Sequence, residues 1–170
     1  MKGVNIQYYV EGEDEKKLIS VLKSEMRVIQ PGKIQKLNVI QQQIPDSILR
    51  TYSPGTVVVL IFDTDTNNID ILNKNIKKLK VCKAVSKTIM IPQVPNLEEE
   101  LIRCCNIKEI TELLNSRSER EFKRDLIHIS NLANKLMEHK FDIKLFWNQR
   151  PEAPYQDIVN EAGKIKIINK

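Results

Sequence analysis

The longest apolar run of the chain extends from Val57 to Phe62. It is too short to cross a membrane, and it is too uniform for a strand with one face in water. Such a run is typical of a central strand covered on both faces. Further strand patterns occur at residues 5–10, 34–40 and 87–94, with helical periodicity between them. This alternation predicts an α/β fold of three layers, with a mostly parallel central sheet of about four strands.

The second half of the chain has mainly helical periodicity. Helices are predicted at residues 98–105 and 108–114, and a long helical segment is predicted from the capping-box match at Ser118 onward. Short strands are expected at 143–147 and 164–167. The length of 170 residues and the 41% hydrophobic content fit one domain. We expect a core at 1–101 and a mainly helical extension at 102–170 packed on it.

Acidic residues cluster where two of the predicted strands end. The segment from Glu11 to Glu15 follows the first strand and opens a helix, and Asp63 and Asp65 follow the central strand. Because the functional crevice of an open α/β sheet lies beyond the carboxyl ends of its strands, these carboxylates are expected to converge. An oxygen-only ligand set, with no Cys or His nearby, suits Mg²⁺ or Mn²⁺ better than zinc.

At these residues the chain resembles the Toprim domain of primases, topoisomerases, overcoming-lysogenization-defect (OLD) nucleases and RloB-like phage-defence proteins. Glu11, in a Val-Glu-Gly sequence, matches the family glutamate after the first strand, and Asp63 with Asp65 match its Asp-x-Asp. Glu15 stands where OLD-type sequences have a second acid, and residues 96–101 resemble their later Leu-Glu segment. Thr66-Asn67-Asn68 stands where primases usually have glycine, which favours the OLD and RloB-like branch.

The resemblance covers about residues 4–101 and implies Mg²⁺-dependent cleavage of a phosphodiester in DNA or RNA. Glu11 is then the candidate general acid/base or a ligand. Candidate metal ligands are Asp63, Asp65, Glu15 and, more weakly, Glu98. The resemblance further implies a setting in phage defence or a mobile element, with a separately encoded ATPase as a candidate partner. Two alternatives stay open, namely a non-catalytic module that binds metal or nucleic acid, and nucleotidyl transfer.

Several of these residues also have ordinary structural interpretations. Glu13 and Asp14 are explained by the preference of helix starts for negative charge. A helix carries the basic cluster of Lys74, Lys77, Lys78 and Lys80, which either contacts nucleic-acid phosphates or forms a solvated face. Trp147 is interpreted as a packing residue rather than a base-stacking one.

The remaining expectations concern compartment and charge. The N-terminus lacks the pattern of a signal peptide and the three cysteines lack metal-ligand spacing, so the sequence predicts a cytoplasmic protein with reduced thiols and no membrane association. The 27 Lys and Arg exceed the 22 Asp and Glu by five, a modest excess that is compatible with a polyanionic partner. The sequence leaves the oligomeric state open.

Overall fold

The computed structural model describes residues 3–168. Its strands are β1 (Ile6–Val10), β2 (Lys33–Lys36), β3 (Thr56–Asp63) and β4 (Val85–Gln93). They form one sheet in the order β2-β1-β3-β4, and each neighbouring pair is parallel. The predicted α/β fold with a parallel four-stranded sheet is therefore confirmed.

Residues 3–168 contain seven α-helices and a short 3₁₀ helix at Ala162–Lys164. The α-helices are α1 (Glu13–Ser24), α2 (Asp46–Leu49), α3 (Asp70–Val81), α4 (Leu97–Cys104), α5 (Thr111–Leu114), α6 (Glu119–His128) and α7 (Leu132–Glu138). Two helices have side-chain caps. Asn96 accepts from the Glu99 N–H, and Ser118, at the predicted capping box, accepts from the Glu121 N–H. Strands and helices alternate up to β4, after which the chain is mainly helical.

The two faces of the sheet carry separate apolar clusters. On β3, Val59 and Ile61 face the cluster that contains α1, whereas Val58, Leu60 and Phe62 face the cluster that contains α3. All five side chains are buried, which confirms the prediction of a central strand covered on both faces. Because side chains alternate along a strand, Asp63 at the end of β3 falls on the α1 face.

The helices after β4 pack on the α1 face of the sheet. Phe122 and Leu126 of α6, with Leu132 and Leu136 of α7, belong to the same apolar cluster as the buried residues of α1. Burial of each such side chain contributes roughly 1.5–3 kcal/mol. The second half of the chain therefore packs on the same face of the sheet as Asp63.

Three details of the prediction are wrong. The long helical segment is two helices, because Ile129 has extended backbone and the β-branched and Ser-Asn residues around it favour helix ends. Residues 143–147 form turns rather than a strand, and Phe146 and Trp147 are both buried although they are adjacent. Residues 164–167 do not form the predicted strand. A 3₁₀ helix ends at Lys164, and Lys166 forms an isolated bridge with Ile29.

Within residues 3–168, no helix combines the length and the apolar composition that crossing a membrane requires.

Candidate metal centre

Three carboxylates meet at the carboxyl ends of β1 and β3. One oxygen each from Glu11, Glu15 and Asp63 lies within 4.8 Å of the other two. Glu11 follows β1 directly, Glu15 lies in the first turn of α1, and Asp63 is the last residue of β3. This group is called here the acidic triad. It brings together residues from both predicted acidic clusters, at the predicted edge of the sheet.

The turn between β1 and α1 positions the two glutamates. Gly12 has extended backbone before the first residue of α1, so Glu11 and Glu15 lie on either side of the helix start. Glu15 Oε2 accepts a 2.9 Å hydrogen bond from the Glu11 backbone N–H. Glu15 is buried and Glu11 is partly exposed, so the triad has a buried side and a side that solvent can reach.

Gln93 is a member of the site that the sequence analysis missed. It is fully buried at the end of β4, in register with Asp63. Its Nε2 donates to Asp63 Oδ1 at 2.7 Å and lies 3.4 Å from Glu15 Oε1, while its Oε1 accepts from Trp147 Nε1 at 3.1 Å. The available signal was strand alternation, because the buried Ile89 and Ile91 place residue 93 on the same face.

Burial and mutual repulsion raise the pKa values of the triad. Burial is the main cause for Glu15, whose pKa rises to about 8, and for Asp63, whose pKa rises to about 9. Repulsion from the other two carboxylates raises the pKa of Asp63 further. Burial also raises the pKa of Glu11, with a smaller contribution from Asp65. The three groups therefore resist simultaneous ionisation, and a bound metal ion would supply the missing positive charge.

The other two predicted ligands lie outside the acidic triad. Asp65 is exposed and lies two residues beyond the end of β3, and its negative charge contributes to the raised pKa of Glu11. Glu98 of α4 pairs with Lys123 of α6, with 3.3 Å between Oε1 and Nζ. This pairing is the first cause of the raised pKa of Lys123. Asp14, interpreted as a first-turn residue, is half-buried, and burial raises its pKa.

The lysines of α3 lie on the other side of the sheet from α1. Lys74, Lys77 and Lys80 are exposed, while Leu72 and Leu79 pack into the α3 cluster. Lys78 is half-buried instead, because its Nζ donates to the Ile44 carbonyl at 2.9 Å and pairs with Asp46 at 3.2 Å. The first three therefore extend into solvent, and Lys78 fixes the loop before α2.

A second buried acid, Glu100, holds the loop that carries Trp147. Its Oε2 accepts from the Trp147 backbone N–H at 3.0 Å, and its Oε1 accepts from the Val94 N–H and pairs with Arg103 at 2.8 Å. Trp147 is buried against Phe146, with 4.2 Å between ring centroids, which confirms that it is a packing residue. Of the three adjacent glutamates at the start of α4, Glu100 is the one that is buried.

No family model, curated protein or solved structure matches this chain.

Proposed function

We propose that the chain is a small Toprim-like nuclease that uses Mg²⁺ or Mn²⁺ to cleave phosphodiesters in DNA or RNA. The observation that supports this proposal is the convergence of Glu11, Glu15 and Asp63 within 4.8 Å. Carboxylate oxygens are the ligands that both ions prefer, and nucleases commonly bind such ions beside the phosphate they cleave.

The residues divide into ligands and a proton-transfer group. Asp63 and Glu15 would hold the ion from the buried side, and Asp65 would reach it from the solvent side. Glu98 is a weaker candidate that would first have to leave Lys123. When bound, the ion would polarise the phosphate and stabilise the leaving oxygen.

Glu11 fits the proton-transfer role because it is the partly exposed member of the triad and its pKa is raised by burial. A base accepts the proton of the attacking water as the new P–O bond forms and the old one breaks. A carboxyl group works best in this role when its pKa approaches the working pH. A phosphate at the triad would lie within reach of Glu11 from the solvent side.

A non-catalytic module that binds a regulatory ion is the second candidate. Its support is the burial of Glu15 and the hydrogen bonds of Gln93, which hold two carboxylates in place without a metal. Such a module needs no access for a phosphate. The nuclease would turn over a substrate and the regulatory module would not, whereas both would bind a metal ion.

The test is a cleavage assay on single- and double-stranded DNA and RNA with Mg²⁺, Mn²⁺ or EDTA. Wild-type protein should cleave at least one substrate in a metal-dependent way, and Asp63→Asn should abolish cleavage. Asp70→Asn, which changes an exposed aspartate of α3, is the matched control and should keep full activity. A wild-type protein that binds metal but leaves every substrate intact would support the second candidate.

A further inference from the structure

A cavity of about 820 Å³ lies beside the loop that carries Trp147. Its polar lining consists mainly of cations and amides, namely Lys144, Asn148, Gln149, Arg150, Gln156 and Lys166. Among the described residues that line it, none is Asp or Glu. Lys144 and Arg150 are exposed and make no ion pair within residues 3–168. The cavity is therefore electropositive, although the chain carries 22 acidic residues.

The wall of the cavity is held rigidly. Trp147 has a φ of 55°, a left-handed conformation that bulky residues rarely adopt. Its backbone N–H donates to Glu100, its indole N–H donates to Gln93, and its carbonyl accepts from Asn160 Nδ2 at 3.0 Å. Backbone in this region persists only where its surroundings hold it, and it is common at ligand sites. These bonds fix the direction in which residues 148–150 leave the core.

The same wall is connected to the acidic triad. Gln93 accepts from Trp147 Nε1 and donates to Asp63 Oδ1, so one buried side chain lies between the cavity wall and the triad. Trp147 and the buried residues of α1 also belong to one apolar cluster. A ligand in the cavity would therefore contact a wall that one buried side chain connects to the triad.

We propose that this cavity binds a single-stranded segment of nucleic acid, with phosphates on Lys144 and Arg150 and base edges on the amides of Asn148, Gln149 and Gln156. Lys166 is half-buried, and its Nζ donates to the Phe146 carbonyl. The choice of nucleic acid among anions rests on the proposed function. The choice of a single strand rests on the size of the cavity. A volume of about 820 Å³ is that of a small-molecule site and accepts one or two nucleotides. In a duplex the base edges are paired, whereas single strands can splay bases into such a site.

Apolar surface beside these polar groups suits the faces of bases. Ile158 and Val159 line the cavity, and Val159 is 69% exposed. Sequence-tolerant binding of single strands combines basic groups that follow the phosphates with apolar or aromatic surface under the bases. The cavity therefore has the two components that such binding needs, although Trp147 itself is buried.

The test measures binding of a fluorescein-labelled mixed-sequence 12-nucleotide DNA by anisotropy in EDTA, where cleavage is absent. Lys144→Gln with Arg150→Gln should weaken binding by at least tenfold and reduce the salt slope by about 1.4, or about 0.7 for each lost phosphate contact. Lys108→Gln with Arg117→Gln is the matched control, since both residues are exposed and outside the cavity. It should change affinity by less than about threefold. Thermal unfolding by circular dichroism verifies that each variant is folded.

A second comparison tests base contacts rather than charge. Asn148→Ala with Gln156→Ala should weaken binding of the same oligonucleotide by about threefold or more and leave binding of an abasic strand unchanged. Wild-type protein should also prefer the single strand to its duplex by at least tenfold. If the variant loses equal affinity for the oligonucleotide and for the abasic strand, these amides do not contact bases, and that part of the proposal is wrong.

The α3 lysines provide the competing surface. If Lys74→Gln with Lys77→Gln weakens binding and the cavity variant matches the control, the cavity proposal is wrong. It is also wrong if wild-type protein does not bind the oligonucleotide. Binding that depends on the cavity, together with no cleavage in Mg²⁺ or Mn²⁺, would leave this proposal standing and contradict the nuclease assignment alone.

Discussion

Gln93 Nε2 donates a 2.7 Å hydrogen bond to Asp63 Oδ1, and the two residues are register partners at the ends of neighbouring strands. The same nitrogen lies 3.4 Å from Glu15 Oε1. Gln93 is therefore a neutral, fully buried donor shared by two carboxylates whose pKa values are raised mainly by burial. Its other amide atom accepts from Trp147, so it cannot rotate without losing a bond.

Loss of the Gln93 side chain should destabilise the fold. Gln93→Ala leaves the Trp147 indole N–H without its buried partner and removes a donor from Asp63, and each such loss costs about 1–3 kcal/mol. Urea unfolding measures the change. Gln43→Ala removes an exposed glutamine and should stay within about 0.5 kcal/mol of wild type. Equal stability of the two variants would show that the Gln93 bonds contribute little.

The stability of the metal-free protein should fall as pH rises from about 5 to about 9. The folded protein keeps protons on Glu15 and Asp63 up to pKa values of about 8 and about 9, while ordinary values are 4.5 and 3.8. The native state then binds more protons than the unfolded state, so the free energy of unfolding decreases with pH. The slope reaches up to about 1.4 kcal/mol per pH unit for each group. Urea unfolding at several pH values in EDTA measures it.

Glu15→Gln with Asp63→Asn supplies the control for this pH dependence. Both substitutions resemble the protonated acids, so the variant should fold and should lose most of the decline between pH 5 and pH 9. If the free energy of unfolding of the variant declines with pH as steeply as that of wild type, other groups are responsible for the titration. Glu13→Gln, an exposed neighbour in α1, should keep the wild-type profile.

The sequence predicted the parts of the site that depend on single elements. The apolar run before Asp63 required burial on both faces, and the aromatic and β-branched residues before Glu11 favoured a strand. Two strands of that kind, followed by acids, place Glu11 and Asp63 at the same edge of a parallel sheet. Glu15 follows because it is four residues after Glu11, across the start of a helix.

The parts that depend on long-range register were not predictable from local patterns. Gln93 is one polar residue at a strand end, and only its pairing with Asp63 makes it part of the site. Asp65 has the spacing of a ligand in extended chain, but β3 ends at Asp63, and Asp65 lies exposed in the irregular segment that follows. The loop that carries Trp147 was predicted as a strand because its apolar residues lie close together, whereas a buried acid from α4 holds it as turns.

Glu11→Gln should reduce cleavage by about 10²-fold or more, because it removes a proton-transfer group and keeps the side-chain shape. The rate is measured at saturating Mg²⁺ on the best substrate. Metal affinity should fall less than in Asp63→Asn, since Glu11 is the partly exposed member of the triad. Glu13→Gln is again the matched control and should cleave at the wild-type rate. A Glu11→Gln protein as active as wild type would eliminate the assignment.

The central claim is that the acidic triad binds a divalent metal ion, and calorimetric titration with Mn²⁺ tests it most directly. Wild-type protein at pH 7.5 should bind with release of protons, because the raised pKa values of Glu15 and Asp63 keep both groups protonated in part. Heats compared in two buffers of different ionisation enthalpy count those protons. Asp70→Asn should bind as wild type, and Glu15→Gln with Asp63→Asn should lose at least tenfold in affinity. Unchanged Mn²⁺ affinity in a folded Glu15→Gln, Asp63→Asn protein would contradict the account.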